Sequence, residues 1–553
     1  MPAPDRLRIQ LVQLNQNVGA MRANADRMLA EQRLAAEAGA DVVVFPEMQL
    51  VGYPPEDMVL KPALHARAAA ELERMRVEGA GGPAMLVGTV VVRDGKLHNA
   101  VALLDRGEAQ ITLKRELPNY GVFDEKRVFA PGPLPEPLDF RGVSLGVPIC
   151  EDMWFPEVSG HLAARGAEIL VAPHGSPFEV DKDDRRLAEV AQVRVRETGL
   201  PLIFVNRVGG QDELVFDGAS FVLNADGTLA LGMADWEEER VLSTWTRAPD
   251  GWRCEPGEVH PLDPAPADTY HALVIGLRDY VARNGFPGVV LGLSGGIDSA
   301  LCAAIAADAL GPDKVWAVML PSAFTSQESL DDARACAEMI GCRHDVIPIG
   351  PAVDAFGAML ASHFEGTPFG IAEENIQSRA RMVTLMGLSN KFGPMLISTG
   401  NKSELGVGYG TLYGDMSGGY ALIKDIYKTE VFRLSRWRNG GRPALALGPD
   451  GPVMPERVIT KPPSAELRPG QKDEDSLPPY DRLDRILHGL VEEELDVDAV
   501  AARGFDRDEV ARVEKLLTSA EHKRRQAPPG PKVSRRNFGR DRRYPISHSF
   551  RTA

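Results

Sequence analysis

The sequence predicts an α/β protein of two domains, the second built around a doubly wound parallel sheet. Apolar, β-branched runs alternate with segments of helical periodicity in both halves of the chain. A proline-rich stretch without periodicity lies between the halves. At 553 residues the chain is also too long for one ordinary core. Together these observations favour two α/β domains over a single larger one.

The first half, predicted as a domain over residues 1–245, opens with a strand in LRIQLVQL and a helix in which Met21, Ala25, Met28 and Leu29 recur at helical spacing. DVVVFPE is a second apolar strand that ends on a carboxylate. Later strands are predicted in AMLVGTVVV, NAVALLD, VSLGVPIC, AEILVAPH and LPLIFVNRV, with a helix in LAEVAQVRVRETG. Several of these strands are apolar throughout, which predicts burial on both faces.

A linker is predicted over residues 246–268, where TRAPDGWRCEPGEVHPLDPAPADT contains five prolines and two glycines. The second domain is predicted over residues 269–553. It starts with a helix from Tyr270 and a strand to Ser294, followed by helix ALCAAIAADAL, strand KVWAVMLP, helix SQESLDDARACAEMIG and strand HDVIPI. Repeated units of this kind predict a doubly wound parallel sheet, in which ligands bind beyond the carboxyl ends of the strands. A second proline-rich stretch, GPDGPVMPERVITKPPSAELRPGQ, is predicted to be a long loop near a site.

Composition narrows the class of protein. With 44% hydrophobic and 25% charged residues the chain is typical of a globular protein, and a net charge of −16 disfavours a nucleic-acid partner despite the basic segment EHKRRQAPPGPKVSRRNFGRDRR. Five scattered cysteines without a C-x-x-C pair fit neither a disulfide framework nor a zinc site. The N-terminus lacks an apolar signal region, and no run of about 18 apolar residues occurs. We therefore expect a cytoplasmic protein without a membrane partner.

Three residues of the first half lie at or near predicted strand ends: Glu47 in VVVFPEMQ, Lys114 in ITLKREL and Cys150 in GVPICEDMW. A cysteine is a nucleophile when a base and a cation converge on it, and Glu47 and Lys114 have the chemistry for those roles. Spacing alone does not show that they converge. A cysteine that ends a buried strand is more often a core residue, and an isolated lysine usually lies on the surface.

The three segments FPE, LKRELPNYGVFDE and PICEDMW resemble, in order and context, the Glu–Lys–Cys motifs of the nitrilase (carbon–nitrogen hydrolase) family. The resemblance covers about 240 residues and implies a four-layer αββα sandwich with a catalytic triad. In the amidotransferase members it further implies that Tyr120, Ser176 and Lys182 bind glutamine. Glu125 is expected to support the site as a second carboxylate.

In the second half, LGLSGGIDSA places two glycines on a predicted strand-to-helix turn, where backbone N–H groups form an anion site. Ser294 and Ser299 add hydroxyl donors, whereas Asp298 would repel phosphate unless a metal lay between them. Glycine-rich turns are common, so the turn by itself leaves a plain βα connection with a helix N-cap open. The chain has no G-x-x-x-x-G-K-[ST] segment, which argues against a P-loop kinase or GTPase.

SGGIDS resembles the PP-loop of the ATP pyrophosphatase superfamily. This resemblance implies that ATP is split between its α- and β-phosphates and that Mg²⁺ bridges Asp298 to pyrophosphate. The ATP-binding residues implied for the turn are Gly292, Leu293, Ser294, Gly295, Gly296, Ile297, Asp298 and Ser299.

EENIQSRARM, LISTGNKSELGVGYGTLYGD and LIKDIYKTEV resemble one branch of that superfamily, the NAD synthetases. The resemblance implies that Asn375 and Glu404 contact deamido-NAD⁺, that Arg379 and Thr399 contact ATP, and that Glu404 also binds magnesium. HKRRQAPPG resembles the substrate segment near the C-terminus of the family and assigns Lys523 to deamido-NAD⁺. The residues alone also allow a surface salt bridge for Arg379 and a capping box for Glu404 in NKSE.

Taken together, the resemblances imply an enzyme that releases ammonia from glutamine and uses it to amidate ATP-activated deamido-NAD⁺. They also imply a homo-oligomer whose small-molecule partners are glutamine, ATP and deamido-NAD⁺. Two alternatives stay open at this point. The second domain could amidate another carboxylate or carbonyl acceptor, or the first half could be a non-catalytic module attached to an ammonia-dependent synthetase.

Overall fold

The structure is a computed structural model that describes residues 4–471, 473–475 and 477–552. The chain divides into two compact units between Asp263 and Pro264. Each unit is built from its own sheets and contains its own apolar clusters. Among the described residues, none of the helices is both long and apolar enough to cross a membrane.

The first unit contains a seven-stranded sheet in the order β15-β14-β1-β2-β3-β4-β5, a six-stranded sheet in the order β13-β12-β9-β8-β7-β6 and the hairpin β10-β11. The strands are β1 (Arg6–Gln13), β2 (Val42–Val44), β3 (Ala84–Arg93), β4 (Lys96–Asp105), β5 (Glu108–Leu113), β6 (Leu138–Phe140), β7 (Val143–Gly146), β8 (Ile169–Pro173), β9 (Leu202–Val205), β10 (Val208–Gln211), β11 (Leu214–Asp217), β12 (Phe221–Leu223), β13 (Leu229–Gly232), β14 (Glu239–Ala248) and β15 (Gly251–Cys254).

Within residues 4–263 the strands are accompanied by six α-helices: α1 (Met21–Glu37), α2 (Pro62–Glu78), α3 (Glu125–Val128), α4 (Pro156–Ala164), α5 (Lys182–Asp184) and α6 (Gln192–Thr198). Short 3₁₀ turns lie at Glu56–Leu60 and Cys150–Met153, and a π-helical stretch, Arg185–Ala191, joins α5 to α6. The helix predicted in LAEVAQVRVRETG is thus π-helical in its first half.

The two large sheets pack against each other, and helices cover their outer faces. Strand β1 shows why: Ile9 and Leu11 belong to the cluster between the sheets, whereas Val12 faces the cluster under α1 and α2. On the other side, α4 and α6 cover β8, β9 and β12. The predicted αββα sandwich is confirmed.

The segment predicted as a linker contributes to this sandwich. Residues 246–248 end β14, and β15 pairs with it antiparallel within the seven-stranded sheet. Trp252 and Cys254 point into the cluster between the sheets and are buried, while Arg253 between them is exposed. This two-residue alternation in WRC is a strand signal that the surrounding prolines obscure.

The second unit holds a five-stranded parallel sheet in the order β18-β17-β16-β19-β20. Its strands are β16 (Val289–Gly292), β17 (Val315–Met319), β18 (Arg343–Val346), β19 (Met395–Ser398) and β20 (Tyr420–Ala421). Its α-helices are α7 (Ala267–Arg283), α8 (Ile297–Leu310), α9 (Gln327–Ile340), α10 (Gly350–Phe364), α11 (Ile371–Phe392), α12 (Lys402–Val407), α13 (Lys428–Asn439), α14 (Glu456–Thr460), α15 (Tyr480–Val491), α16 (Val497–Ala501), α17 (Arg507–Ser519) and α18 (Glu521–Arg524), with 3₁₀ turns at Pro312–Lys314 and Asp473–Asp475.

Helices cover both faces of this sheet, so the predicted doubly wound arrangement is confirmed. Helix α11 packs Ala380 and Leu385 against one face, and α8 packs on β16 and β17 from the other. The chain leaves β16 towards β17 and β18 and later returns on the other side of β16 through β19. The strand order therefore reverses between β16 and β19, which is where ligands bind in open α/β sheets.

Candidate active sites

In the first unit, three charged side chains predicted from distant segments meet in the interior. The Lys114 ammonium donates to Glu47 Oε1 at 2.7 Å and to Glu125 Oε1 at 3.0 Å. Neither Lys114 nor Glu47 is exposed to solvent. Glu47 also accepts from Asn99 Nδ2 at 2.6 Å and from the backbone N–H of Gly175 at 3.0 Å. A fully hydrogen-bonded, buried ion pair of this kind holds its side chains in one geometry.

Cys150 starts a 3₁₀ turn at the end of the segment that follows β7. Its φ of +48° is uncommon outside glycine and marks a tight turn that presents the thiol. Asp152 holds this turn, because its carboxylate accepts from the N–H of Ile149 at 2.9 Å and from that of Glu116 at 2.7 Å. The same carboxylate thus ties the cysteine turn to the segment just after Lys114.

The groups around Cys150 favour the protonated form of its thiol. Burial and the nearby Glu47 raise the pKa of the Cys150 thiol, against the opposing effects of Lys114 and the Gly175 N–H. Burial also raises the pKa of Glu47, but Lys114 and the hydrogen bonds from Lys114 and Asn99 hold it below its ordinary value. An ionised carboxylate beside a neutral thiol is the starting state for general-base activation of a nucleophile.

The residues predicted to bind glutamine lie in two groups near this centre. The Tyr120 hydroxyl, on a side chain that is 55% exposed, donates to both oxygens of buried Glu151, at 3.1 and 3.0 Å. Ser176 directly follows Gly175 and is buried. The Lys182 ammonium donates to the Pro177 carbonyl at 3.0 Å and contacts the Phe123 ring. The side chain of Lys182, at the start of α5, therefore reaches the turn that carries Ser176.

In the second unit, the predicted SGGIDS turn joins β16 to α8 at the sheet's switch point. Gly295 has a φ of +80°, and a Cβ atom there would lie 2.3 Å from the carbonyl oxygen of Ser329. Only glycine fits this position. The Ser299 hydroxyl accepts from the N–H of Ser294 at 3.2 Å, which tightens the turn around the N-terminus of α8.

The turn opens into a cavity of about 310 Å³. The predicted residues 292–299, Thr399 and Glu404 line this cavity. Residues 461–467 of the second proline-rich stretch line it as well, as expected for a loop near a site. The stretch is not a loop throughout, because it contains the short helix α14. Lining residues that the sequence did not single out include Arg381, Lys428, Lys461 and Asp473.

Glu404 and Asp298 form the acidic part of the cavity. The Lys428 ammonium donates to Asp298 and lies 3.7 Å from Glu404 Oε1, and Asn401 Nδ2 donates to Asp298 Oδ1 at 2.9 Å. Burial and Asp298 raise the pKa of Glu404 to about 8, although Lys428 opposes the shift. Glu404 also takes part in the capping box that the sequence allows as its alternative role. In this box Asn401 Oδ1 accepts from the Glu404 N–H at 2.9 Å.

This donor set fits magnesium bound together with phosphates. Among the described residues, no group of three or more His, Cys, Asp or Glu side chains is arranged to hold a metal ion. Mg²⁺ commonly takes one or two carboxylates and completes its shell with phosphate oxygens and water. Asp298 and Glu404, which line one cavity with the SGGIDS turn, are such a pair.

The remaining predicted contacts lie next to the cavity without lining it. Arg379 Nε donates to the Leu412 carbonyl at 3.2 Å, and Asn375 Oδ1 accepts from the Thr411 hydroxyl at 2.8 Å. The Lys523 ammonium donates to the carbonyls of Gly408 and Gly410, both at 2.7 Å. Gly408 and Gly410 do line the cavity, so Lys523 supports part of its wall.

Comparison with known proteins places both units in known families. Residues 8–247 match the carbon–nitrogen hydrolase family and residues 269–527 match the NAD synthase family. The chain is 50% identical to a glutamine-dependent NAD(+) synthetase of Rhodobacter capsulatus, over 99% of both chains, and 44% identical to one of Acinetobacter baylyi, over 98% of this chain and 99% of that one.

Two solved structures of glutamine-dependent NAD(+) synthetases are also similar to this chain. The glutamine-dependent NAD(+) synthetase of Acinetobacter baumannii, determined with ADP, superposes with a TM-score of 0.77 at 40% identity over 98% of both chains. The enzyme of Cytophaga hutchinsonii, 21% identical over 98% of both chains, shows the same fold with a TM-score of 0.82. With relatives of this identity along its whole length, the chain belongs to the family of glutamine-dependent NAD(+) synthetases.

Proposed function

We propose that the protein catalyses glutamine-dependent synthesis of NAD⁺ from deamido-NAD⁺ and ATP, with AMP, pyrophosphate and glutamate as the other products. The observation that carries this proposal is the presence, in one chain, of a buried Glu47–Lys114–Cys150 centre and a glycine turn of the PP-loop type that opens into a cavity. The first is suited to amide hydrolysis through a thioester, and the second to binding the phosphates of ATP.

In the first unit, Glu47 accepts the thiol proton while the Cys150 sulfur attacks the side-chain amide carbon of glutamine. The Lys114 ammonium stabilises the oxyanion of the tetrahedral intermediate. The intermediate collapses with loss of ammonia, which takes up the proton held by Glu47. Water then adds to the thioester, and glutamate leaves as the thiol re-forms. Tyr120, Ser176 and Lys182 bind the amino-acid part of glutamine.

In the second unit, residues 292–299 hold the phosphates of ATP, with Thr399 and Arg379 as further contacts. The nicotinate carboxylate of deamido-NAD⁺ attacks the α-phosphorus, and the bond to the β-phosphate oxygen breaks to release pyrophosphate. Ammonia then attacks the acyl carbon, AMP leaves and the amide of NAD⁺ forms. Asn375, Glu404 and Lys523 contact deamido-NAD⁺.

Asp298 and Glu404 are the residues that would hold Mg²⁺. The ion supplies positive charge that offsets the charge accumulating on the pyrophosphate leaving group. Asn401 supports both carboxylates, because it donates to Asp298 through its amide and caps the helix that carries Glu404. Lys428 adds a protein cation at the same place.

We also propose a homo-oligomer located in the cytoplasm. Helix α10 has no buried residue among those described, yet carries Phe356 and Met359, which are 42% and 71% exposed. An apolar helix of this kind usually packs against another surface, and a second copy would supply one.

The cysteines support the cytoplasmic location. All five are free thiols, as a reducing compartment maintains them. For the domains we keep residues 1–245, 246–268 and 269–553 as a functional division, although β15 belongs to the first sheet.

The test is formation of NAD⁺ from deamido-NAD⁺, ATP and Mg²⁺ with either glutamine or ammonium chloride as nitrogen donor. We expect Cys150→Ala to abolish the reaction with glutamine and to leave the reaction with ammonium unchanged. Cys254→Ala is the matched control, because Cys254 is also a buried cysteine of the first unit but lies in β15. It should retain both reactions.

Two other outcomes would contradict the proposal. If the folded parent makes NAD⁺ from neither donor, the acceptor is wrong, and a panel of other carboxylates and carbonyl compounds should be tried. If Cys150→Ala keeps the glutamine reaction, the first unit does not supply the ammonia through this thiol.

A further inference from the structure

Two buried side chains, Arg186 and Asn206, contact the turn that carries Ser176. Asn206 fixes the backbone of this residue on both sides: its Oδ1 accepts from the Ser176 N–H at 3.0 Å, and its Nδ2 donates to the Ser176 carbonyl at 3.0 Å. Arg186, in the π-helical stretch Arg185–Ala191, contacts the same turn and is 3% exposed. None of the catalytic steps above uses Arg186.

The Arg186 guanidinium makes contacts that only a planar fork of donors can make together. Its Nη1 donates to Asp217 Oδ2 at 2.5 Å, and its Nη2 donates to the carbonyls of Ser176 at 3.0 Å and Pro177 at 2.8 Å. Its Nε donates to the Ser176 hydroxyl oxygen at 3.1 Å. Asp217 is buried too and balances the charge of the arginine.

The contact with the hydroxyl decides what Ser176 offers to a ligand. A serine hydroxyl has one proton and two lone pairs, and Nε of Arg186 occupies one lone pair. Because the guanidinium is a cation, the hydroxyl proton turns away from it. Ser176 is therefore set to donate, which suits a carboxylate and does not suit an ammonium group.

At this turn Lys182 adds a second hydrogen-bond donor, its ammonium, besides the hydroxyl of Ser176. Its ammonium and Nη2 of Arg186 both bind the Pro177 carbonyl, at 3.0 and 2.8 Å. The turn is also continuous with the reaction centre, since the N–H of Gly175, one residue before Ser176, donates to Glu47 Oε2 at 3.0 Å. A carboxylate bound by Ser176 and Lys182 is thus held at a fixed place relative to the base.

We propose that Arg186 is a positioning residue that makes the first unit selective for the α-carboxylate of glutamine, by orienting the Ser176 hydroxyl and fixing the Pro177 carbonyl to which Lys182 is bound. The inference rests on the proposed glutaminase function and deepens it. It assigns the discrimination between glutamine and simple primary amides to a residue that does not touch the substrate.

The experiment compares hydrolysis of glutamine with hydrolysis of 4-aminobutanamide, which is glutamine without its α-carboxylate. For Arg186→Gln we expect kcat/KM for glutamine to fall about 10- to 100-fold, mostly through KM, since a charge-assisted contact is weakened. The rate with 4-aminobutanamide should stay within about twofold of the parent, because that amide never used the contact. The NAD⁺-forming reaction with ammonium should be unchanged.

Arg194→Gln is the matched control, because Arg194 is a similarly buried arginine eight residues along the chain that pairs with Glu197 instead. It should keep the selectivity of the parent. The rate at which iodoacetamide alkylates Cys150 reports in each variant whether the reaction centre is intact. If Arg186→Gln fails to fold, Asp217→Asn replaces it, since this change removes the charge that holds Arg186. The amide oxygen of the new side chain still accepts from Asn206 Nδ2, as Asp217 Oδ1 does at 3.5 Å.

Equal losses with both amides would overturn the inference, because they would show that Arg186 only maintains the fold. Unchanged selectivity in Arg186→Gln, or in Asp217→Asn when it is needed, would overturn it as well. A parent protein that does not hydrolyse glutamine at all would instead refute the proposed function, and the two failures are therefore distinguishable.

Discussion

Glu47 shows how single contacts set the chemistry of the first site. One carboxylate receives hydrogen bonds from a lysine, an asparagine and a backbone N–H, and these contacts outweigh the effect of complete burial on its pKa. Glu125, on the other side of Lys114, has fewer donors. Burial and the charge of Glu47 raise its pKa to about 7, against the opposing effect of Lys114. The two carboxylates that share one lysine thus differ in protonation near neutral pH.

This difference predicts a pH dependence of stability. The pKa of Glu125 in the folded protein, about 7, lies above its ordinary value of 4.5. Its contribution to the free energy of unfolding is therefore fully present below about pH 4.5 and is lost as the pH rises through 7, a loss on the order of 3 kcal/mol. Glu125→Gln should flatten this decline between pH 5 and 7.5. Urea unfolding followed by hydrogen exchange in β2 and β8 measures it.

Glu157→Gln is the control for this series, because Glu157 is an exposed carboxylate of the same unit. The free energy of unfolding of this variant should change with pH in the same way as that of the parent. A Glu125→Gln curve as steep as that of the parent would contradict the prediction.

Gly295 gives a second prediction at this scale. Gly295→Ala combines a left-handed φ with a Cβ atom 2.3 Å from the Ser329 carbonyl, so that the turn must shift. We expect kcat/KM for ATP in the ammonium-dependent reaction to fall at least about tenfold, while glutamine hydrolysis remains.

Gly296→Ala is a close control for that change. Gly296 has a φ of −90°, and its added Cβ would meet only the Ser294 hydroxyl, at 3.3 Å. It should lose less activity than Gly295→Ala. A larger loss would mean that the backbone conformation of Gly295 does not control the turn.

At the scale of elements, α12 depends on its surroundings. This six-residue helix carries Glu404 and is too short to be stable alone. Lys402 fastens its start: the fully buried ammonium pairs with Asp425 at 2.9 Å and with Glu492, and donates to the Ser534 hydroxyl at 2.6 Å and the Arg536 carbonyl at 2.7 Å. Arg524 binds the carbonyls of Leu405 and Gly406 near its end.

We therefore expect Lys402→Met to lower the free energy of unfolding of the second unit by about 3–5 kcal/mol, because Asp425 and Glu492 would remain buried without their cation. Chemical denaturation followed by hydrogen exchange in α12 and α15 measures this. Lys515→Met, at an exposed lysine of α17, should be nearly neutral. A loss below about 1 kcal/mol in Lys402→Met would show that the C-terminal segment does not hold α12.

The elements also show how far sequence reasoning reaches. β1, α1 and the βα units of the second half follow from periodicity, because each buries one continuous face or is apolar throughout. β15 was missed because only Trp252 and Cys254 carry its alternation, between prolines. The meeting of Glu47, Lys114 and Cys150 required the resemblance, since spacing along the chain does not encode contacts over 67 residues. Lys428 and Arg186 were missed because an isolated cation in a helix gives no local signal.

On the scale of the whole molecule, the two units have separate cores. The cluster between the sheets of the sandwich is formed by residues from Leu7 to Cys254, whereas buried residues of α7 and the clusters at the five-stranded sheet and under α15 to α17 belong to the second unit. The boundary between the units falls at Asp263 and Pro264. Two units with their own sheets and cores are expected to fold without each other.

We accordingly expect fragments 1–263 and 264–553 to be folded when produced separately. The first should hydrolyse glutamine without making NAD⁺, and the second should make NAD⁺ from ammonium but not from glutamine. Circular dichroism and the two activity assays, each with the full chain as reference, provide the check. Fragments that are unfolded alone but active when mixed would contradict the separation of the cores.

The proposed use of Mg²⁺ at this site gives the pairing of Lys428 with Asp298 a consequence that appears when the ion is removed. A carboxylate site that depended on a divalent ion for its shape would loosen when a chelator removed the ion. Here the protein carries its own counter-charge, so that EDTA should stop turnover while the melting temperature stays within about 1–2 °C. Without the metal the protein would then stay folded but inactive, and its activity would return within the mixing time when Mg²⁺ is added back.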